Sequence, residues 1–439
     1  MKRYLLPTIL TTFLFFIGCE NKAEDKEEIK KEQIVIVNEN RHLNIPQFWL
    51  SKIKNPNAII MDKAQIERFN QQIRYKNKTT LRMADINSTY TDVFVKSKID
   101  KLFNDIAQNG KFFEDNSTTE QNFFNGIRSN SFISTPILET RFAMTTSMTN
   151  EKLIPTDRVI LKEKGDIKFD RNQNDVLDIA TPLAVLHTSK DNLWSFILSP
   201  SSFGWVKNSD IAFGTKEEIN EFINNPNFII TTSPKSGLTS SGVYHDYIRM
   251  GVRLPFVMEN NDTTTVFIPF RDGNGKFVTT NAELQRSDIH HGYLDYTQKN
   301  IITQAFKFLN EPYSWGDKNG GIDCSSFMRQ VFLTVGIELP RNSLRQSQVG
   351  DFNVALPQNI DPIAKQNLIK NLSPNGGGTA LLHLAGHIVL YLGEYNGTSY
   401  ILHGVWGEAN RTLPLARVAV TPIEFNDYID KIDSSTQIK

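Results

Sequence analysis

Cysteine is nearly missing from this chain: its 439 residues include two, Cys19 and Cys324. Their neighbourhoods differ so much that a shared disulfide is not expected, and each thiol needs its own explanation. An excess of one charge is missing as well, since 48 basic residues balance 48 acidic ones. That balance excludes a global basic field of the kind that gathers nucleic acid, and an acidic excess of the kind that keeps a chain disordered. Long apolar runs are scarce too. The run from Leu5 to Ile17 falls short of the roughly 20 residues a membrane-spanning helix needs.

What is present is enough length and apolar content for several cores. Charged residues make up 22% and apolar residues 39%, ordinary values for folded protein. A chain this long predicts roughly two to four domains.

The start is basic, Met1-Lys2-Arg3, and the apolar run after it suits the core of a signal peptide. It ends in Phe16-Ile17-Gly18-Cys19, which resembles the lipobox of bacterial lipoproteins. The resemblance implies a diacylglycerol on the sulfur of Cys19 and cleavage that leaves residues 1–18 as the signal peptide. Residues 19–43 then read as a lipidated tether, dense in Lys and Glu from Glu20 to Gln33 and unable to bury surface. Glu20 is not the Asp that marks inner-membrane retention in many Gram-negative lipoproteins. By that rule the expected location is the periplasmic face of the outer membrane.

From 44 to 130 the pattern predicts a helical N-terminal domain. Asp62-x-x-Gln65 reads as a capping box ahead of Ile66, Phe69 and Ile73, and Phe48-Trp49-Leu50 reads as a packing anchor. From 131 to 214 the period falls to two. Trp194, Phe196 and Leu198 alternate with Ser195 and Ile197, and Gly204-Trp205-Val206 starts another strand. The stretch resembles a bacterial SH3-type barrel. Thr215-x-x-Glu218 caps a linker helix over 215–226, stopped by Pro226. A second strand-rich stretch, 227–294, resembles another SH3-like barrel. The last segment, 295–439, opens on a helix capped by Thr297. The expected fold class is thus multidomain α+β, with two small β-barrels between a helical domain and a C-terminal α+β domain.

The chemistry gathers in that last segment. Cys324, Phe327, Met328, Val331, Phe332 and Val335 share one helical face, with Asp323 as N-cap and Gly336 as stop. The thiol therefore sits in the first turn, where a helix favours thiolate, although the Asp323 charge opposes it. A histidine partner is the more important activator. Gly386-His-Ile-Val-Leu-Tyr-Leu-Gly393 and Tyr400-Ile-Leu-His-Gly-Val-Trp406 predict a hairpin turning at Asn396-Gly397. Pairing these strands brings His387 and His403 together. A nucleophile, a base and a group to hold the base can be filled by Cys324, His387 and His403 in that order. The remaining histidines lack metal-ligand spacing: His290-His291 has no Cys or acidic partner at the right offset, His383 and His387 lie on a strand pattern, and His187 and His245 read as structural or surface residues. No metal and no cofactor is expected.

Tyr313-x-Trp-Gly, Asp323-Cys-Ser-Ser-Phe, Leu339-Pro-Arg-Asn-Ser343, Gly386-His-Ile-Val-Leu-Tyr-Leu-Gly393 and Leu402-His-Gly404 together are similar to the NlpC family of papain-like cell-wall cysteine peptidases. The resemblance covers about the last third of the chain. It implies hydrolysis of peptidoglycan stem peptides between γ-D-glutamate and the diamino acid, with Cys324 as nucleophile, His387 as base and His403 as orienter. It also implies Tyr313 near the oxyanion, Asp323 and Ser325 flanking substrate, and barrels that shape the cleft in favour of stem peptides with a free amino end. The long insertion from Asp351 to Gly378 is expected to cap the site. A monomer, held to the membrane through Cys19, is the expected state. Two alternatives remain at this point: an N-acetylmuramoyl-L-alanine amidase or acyltransferase with the same thiol chemistry, and a non-catalytic lipoprotein that only binds the wall.

Overall fold

The computed structural model describes residues 41–407 and 414–439. The expected signal peptide, Cys19 and nearly all of the tether lie outside the described residues.

The helical stretch starts at α1 (Pro46–Leu50), whose Trp49 is fully buried against the ring of Tyr400, 5.4 Å away. Helix α2 (Lys63–Gln71) begins at the anticipated capping box. Asp62 accepts from the Gln65 amide at 2.8 Å, and the Gln65 side chain accepts from the Asp62 amide. Helices α3 (Asp92–Asn109) and α4 (Gln121–Asn130) follow.

Next comes a seven-stranded antiparallel sheet. Its strands are β1 (Arg141–Thr145), β2 (Thr149–Lys152), β3 (Gln173–Leu177), β4 (Pro182–Thr188), β5 (Trp194–Leu198), β6 (Phe203–Lys207) and β7 (Ile211–Gly214), in the order β7-β1-β4-β5-β6-β2-β3. All five residues of β5 are buried, Ser195 and Ile197 included. Ile197 joins a small cluster with Val185, Val206 and Ile211. Trp194, Phe196 and Leu198 join a much larger one. The alternation is present, but both faces are covered, so it does not divide core from solvent.

Helix α5 (Lys216–Ile223) has the expected Thr215–Glu218 capping box. After it comes a second seven-stranded sheet: β8 (Phe228–Thr231), β9 (Lys235–Ser240), β10 (Val243–Arg249), β11 (Arg253–Glu259), β12 (Thr263–Arg271), β13 (Phe277–Gln285) and β14 (Ile289–His291), ordered β10-β9-β13-β12-β11-β8-β14. One apolar cluster runs through Ile99 and Leu102 of α3, Ala184 and Phe196 of the first sheet, Ile219 and Phe222 of α5, and Leu254, Val266 and Leu284 of the second. The two sheets thus share a core, with α5 as filler, and residues 46–439 form one unit.

The C-terminal segment begins with α6 (Gln298–Lys307), capped by Thr297 as expected. It continues through α7 (Cys324–Leu333) and α8 (Ser343–Gln346) to a six-stranded sheet. That sheet holds β15 (Asn353–Ala355), β16 (Ala380–Leu384), β17 (His387–Tyr395), β18 (Thr398–Val405), β19 (Arg417–Pro422) and β20 (Ile432–Gln437), ordered β15-β20-β16-β17-β18-β19. The insertion from Asp351 to Gly378 is part of the folded sheet domain. It supplies the edge strand β15 and helix α9 (Pro362–Leu372), whose fully buried Ile369 packs with Leu382, Leu384 and Val389. Apolar residues at the spacing of Ile369 and Leu372 need a hydrophobic surface, and an open face of the sheet provides one.

Candidate active site

Cys324 is the first residue of α7, with Asp323 as its N-cap: the carboxylate accepts from the Ser326 amide at 2.9 Å. Two close approaches bring the chain to this point. A Cβ on Gly321 would stand 3.0 Å from the Pro312 carbonyl oxygen. A Cβ on Gly404 would stand 3.5 Å from the Asp323 carbonyl oxygen, so β18 runs directly beside the helix start.

The β17–β18 hairpin forms as the sequence predicts. Tyr395 pairs with Thr398, and Asn396 and Gly397 both have positive φ, 50° and 82°. His387 Nε2 and His403 Nδ1 lie 2.8 Å apart. His403 is fully buried, and its Nε2 lies 3.0 Å from the Thr421 hydroxyl on β19. One assignment of protons makes this chain a relay: His387 Nε2–H donates to His403 Nδ1, and His403 Nε2–H donates to Thr421 Oγ1. Nδ1 of His387 is then the unprotonated nitrogen, free to take a proton. Thr421 was not foreseen from the sequence, because only the register of β18 against β19 (His403 opposite Ala419) brings it near.

The helix that opens on Cys324 packs against the strand that carries the base, and the Ile388 amide, one residue past His387, favours the charged form of the sulfur. Tyr428 leans over both imidazoles, its ring centroid 5.4 Å from that of His387 and 5.6 Å from that of His403. Burial, with the Asp323 carboxylate behind it, pushes the Cys324 thiol up to about 12. Burial pushes His387 down to about 4, and His403 falls well below its usual value because of burial and the neighbouring His387. Both shifts favour the neutral pair, thiol and imidazole.

A stability prediction follows from those two histidines. Their folded-state values lie below the unfolded value of about 6.5, so their neutral forms stabilise the fold fully above that pH. The contribution is lost progressively as pH falls from about 6.5 through about 4. The urea midpoint of the protein should drop steadily across that window, and His403→Gln should flatten the drop.

Tyr313 is largely buried, and burial together with the nearby Cys324 and Asp323 charges raises its phenol well above the usual range. It stays a hydroxyl donor beside the sulfur. Its ring centroid is 6.3 Å from that of Trp406, which packs edge-on at 5.3 Å against Phe169 from the first barrel segment. Asp323 and Ser325 sit in an internal network with Arg341. Arg341 reaches Asp323 at 2.6 Å and the Ser325 hydroxyl at 2.7 Å, and its Nε pairs with Asp175 of β3 at 2.7 Å. Arg341 was visible within Leu339-Pro-Arg-Asn-Ser343, but nothing local in the sequence assigns it a partner. His383, on the strand beside His387, pairs through Nδ1 with Asp433 at 2.8 Å, and His291 pairs with Glu259 at 2.9 Å.

Residues 310–405 match the NlpC/P60 family, and residues 160–207 match an SH3 domain of the SH3b1 type. The chain is 25% identical over 238 residues to the gamma-D-glutamyl-L-lysine dipeptidyl-peptidase of Bacillus cereus, a match covering 52% of this chain and 62% of that protein. It is 40% identical over 55 residues to the Bacillus subtilis protein of the same name, 12% of this chain and 19% of that one. The chain thus spans less than two thirds of these relatives. A solved NlpC/P60 endopeptidase from Photobacterium damselae subsp. piscicida shares the fold with a TM-score of 0.71 at 19% identity, over 88% of this chain and 94% of that one. The C-terminal part of this chain, with Cys324, His387 and His403 inside or at the ends of its paired elements, is an NlpC/P60 family domain of papain-like α+β fold, preceded by an SH3b1-type domain.

Proposed function

We propose that the protein is a peptidoglycan hydrolase, a cysteine endopeptidase that cuts stem peptides between γ-D-glutamate and the diamino acid. The observation that carries this reading is the sulfur of Cys324 beside the strand of His387, with His403 and Thr421 holding the His387 ring in a hydrogen-bonded chain, one proton assignment of which leaves Nδ1 basic. The names of the two Bacillus relatives support the choice of bond. As the Cys324 sulfur attacks the γ-carbonyl carbon, its proton passes to His387 Nδ1. The oxyanion is met by the Cys324 amide at the helix start and by the Tyr313 hydroxyl. The C–N bond breaks as His387 returns the proton to the departing amine of the diamino acid. Water, losing its proton to His387, then attacks the thioester carbonyl; the C–S bond breaks as His387 returns that proton to the Cys324 sulfur, and the γ-carboxylate is released.

The first barrel contributes Phe169 to the wall next to Tyr313 and Trp406. A wall there limits how far a peptide extends, so stem peptides with a free amino end are the proposed substrates. Asp323 and Ser325 would flank them from the helix start. The protein would act as a monomer, held by a lipid on Cys19 at the periplasmic face of the outer membrane. The lipobox-like Phe16-Ile17-Gly18-Cys19 supports that placement, and Cys19→Ser should shift the protein from the membrane to the soluble fraction.

Mass spectrometry of stem tetrapeptides and of purified sacculi, each digested by the protein, tests the bond. The expected products are L-Ala-γ-D-Glu and a peptide starting at the diamino acid. Release of intact stem peptide from muramic acid would assign an amidase instead, and binding to sacculi without any product would remove the enzyme reading.

A further inference from the structure

We infer that Asp317, locked by Arg249 from the second sheet, is a positioning residue for the Cys324 nucleophile, so that docking of that sheet sets the competence of the site. The inference rests on Cys324 being the nucleophile.

Asp317 is 2% exposed and has φ of 61°, the left-handed region where a residue other than Gly is costly. Its carboxylate explains why the conformation is held. Oδ1 accepts from the backbone amide of Asp323 at 2.9 Å, and Oδ2 accepts from the Ser326 hydroxyl. The Ser326 oxygen in turn accepts from Gln330 at 3.1 Å. One carboxylate therefore grips the chain one residue before and two residues after Cys324, and fixes how the first turn of α7 enters the site.

A buried carboxylate close to that of Asp323 needs a counter-charge. Arg249, at the end of β10 and 4% exposed, supplies it at 2.6 Å. Its own position is over-determined by the first sheet and the turn after it. Asp178 takes two of its N–H groups at 2.9 and 2.8 Å, and the Val176 carbonyl takes one at 2.6 Å. The planar fork of a guanidinium satisfies this set of acceptors, and an ammonium cannot. The path from second sheet to nucleophile thus has two members, Arg249 and Asp317, without an intervening gap.

The test compares Arg249→Met, Arg249→Lys and Asp317→Asn in the full chain, with Lys235→Ala as control. Lys235 links the second sheet to Glu311 at 2.6 Å but takes no part in the site. Two quantities are read per folded molecule: kcat and KM on stem tetrapeptide, and the rate of iodoacetamide alkylation at Cys324 as a function of pH. Arg249→Met is expected to lower kcat by about 10- to 100-fold with KM nearly unchanged, as a misplaced nucleophile does. It should also shift the alkylation profile to higher pH, because Asp317 then faces the thiol end of the helix uncompensated. Asp317→Asn, which keeps one acceptor, should lose less, and Lys235→Ala nothing. If Arg249→Met does not fold, Arg249→Lys decides, with a smaller drop in kcat and partial retention of the alkylation profile. A lowered unfolding midpoint with wild-type kcat and alkylation would overturn the inference and leave Arg249 as a purely structural link. Alkylation is read without substrate, so its outcome stands apart from the separate question of whether Cys324→Ala abolishes cleavage.

Discussion

Cys324→Ala is expected to lower stem-peptide hydrolysis by on the order of 10^4-fold or more, to background, with the fold intact. Alanine suits the first turn of a helix and keeps the Asp323 cap, which acts through the backbone of Ser326. The substitution removes the one sulfur at the start of this helix. Ser325, the neighbouring hydroxyl, cannot take over, because it donates to Asp323 at 3.0 Å and accepts from Arg341. The urea midpoint of the variant should stay near that of the parent, or rise, since a polar thiol held in a buried position is replaced by a smaller apolar group. Hydrolysis and stability therefore separate in this variant.

Arg341→Met should do the opposite and act mainly on the fold. The guanidinium pairs with Asp175 of the first sheet and Asp323 of the nucleophile helix. Asp175 also pairs with Arg329 at 3.1 Å. Removing Arg341 leaves Asp323 without its ion-pair partner and Asp175 with one where it had two. Breaking a buried pair from one side costs about 3–5 kcal/mol. Urea denaturation should register a loss of that order. Asp323→Asn in the same background should restore part of it, because the carboxylate left without a counter-charge is then gone while Asn keeps the cap. A loss below about 1 kcal/mol would mean that water screens this seam.

Local signals in the sequence located the site, and long-range ones completed it. The caps at Asp62, Thr215, Thr297 and Asp323 all form, because capping depends on residues three apart. The turn at Asn396-Gly397 was legible, but the pairing shifts by one residue between Tyr391 and Gly393, and that shift puts His387 and His403 on the same face of the sheet. The partners that hold those residues were not legible. Arg249 and Asp317 are 68 positions apart in the chain, and nothing in either neighbourhood names the other. The same applies to Asp175 and Arg341.

The reading of β5 shows a second limit. Alternation marks two faces but does not say what covers each. Here Ile197 and Phe196 enter different clusters, and both are fully buried. The sequence pattern also suggests a cap where Asp351 to Gly378 is inserted. The segment's apolar positions pack on the sheet, with Ile369 and Leu356 in its core.

The account stands or falls on one sulfur. Wild-type protein is treated with iodoacetamide, and the label at Cys324 is quantified by peptide mapping while hydrolysis of stem tetrapeptide is followed in the same samples. The account predicts that the two progress together, one label at Cys324 for each active site lost, with labelling slowed in His387→Gln. Full labelling of Cys324 with hydrolysis intact would contradict it.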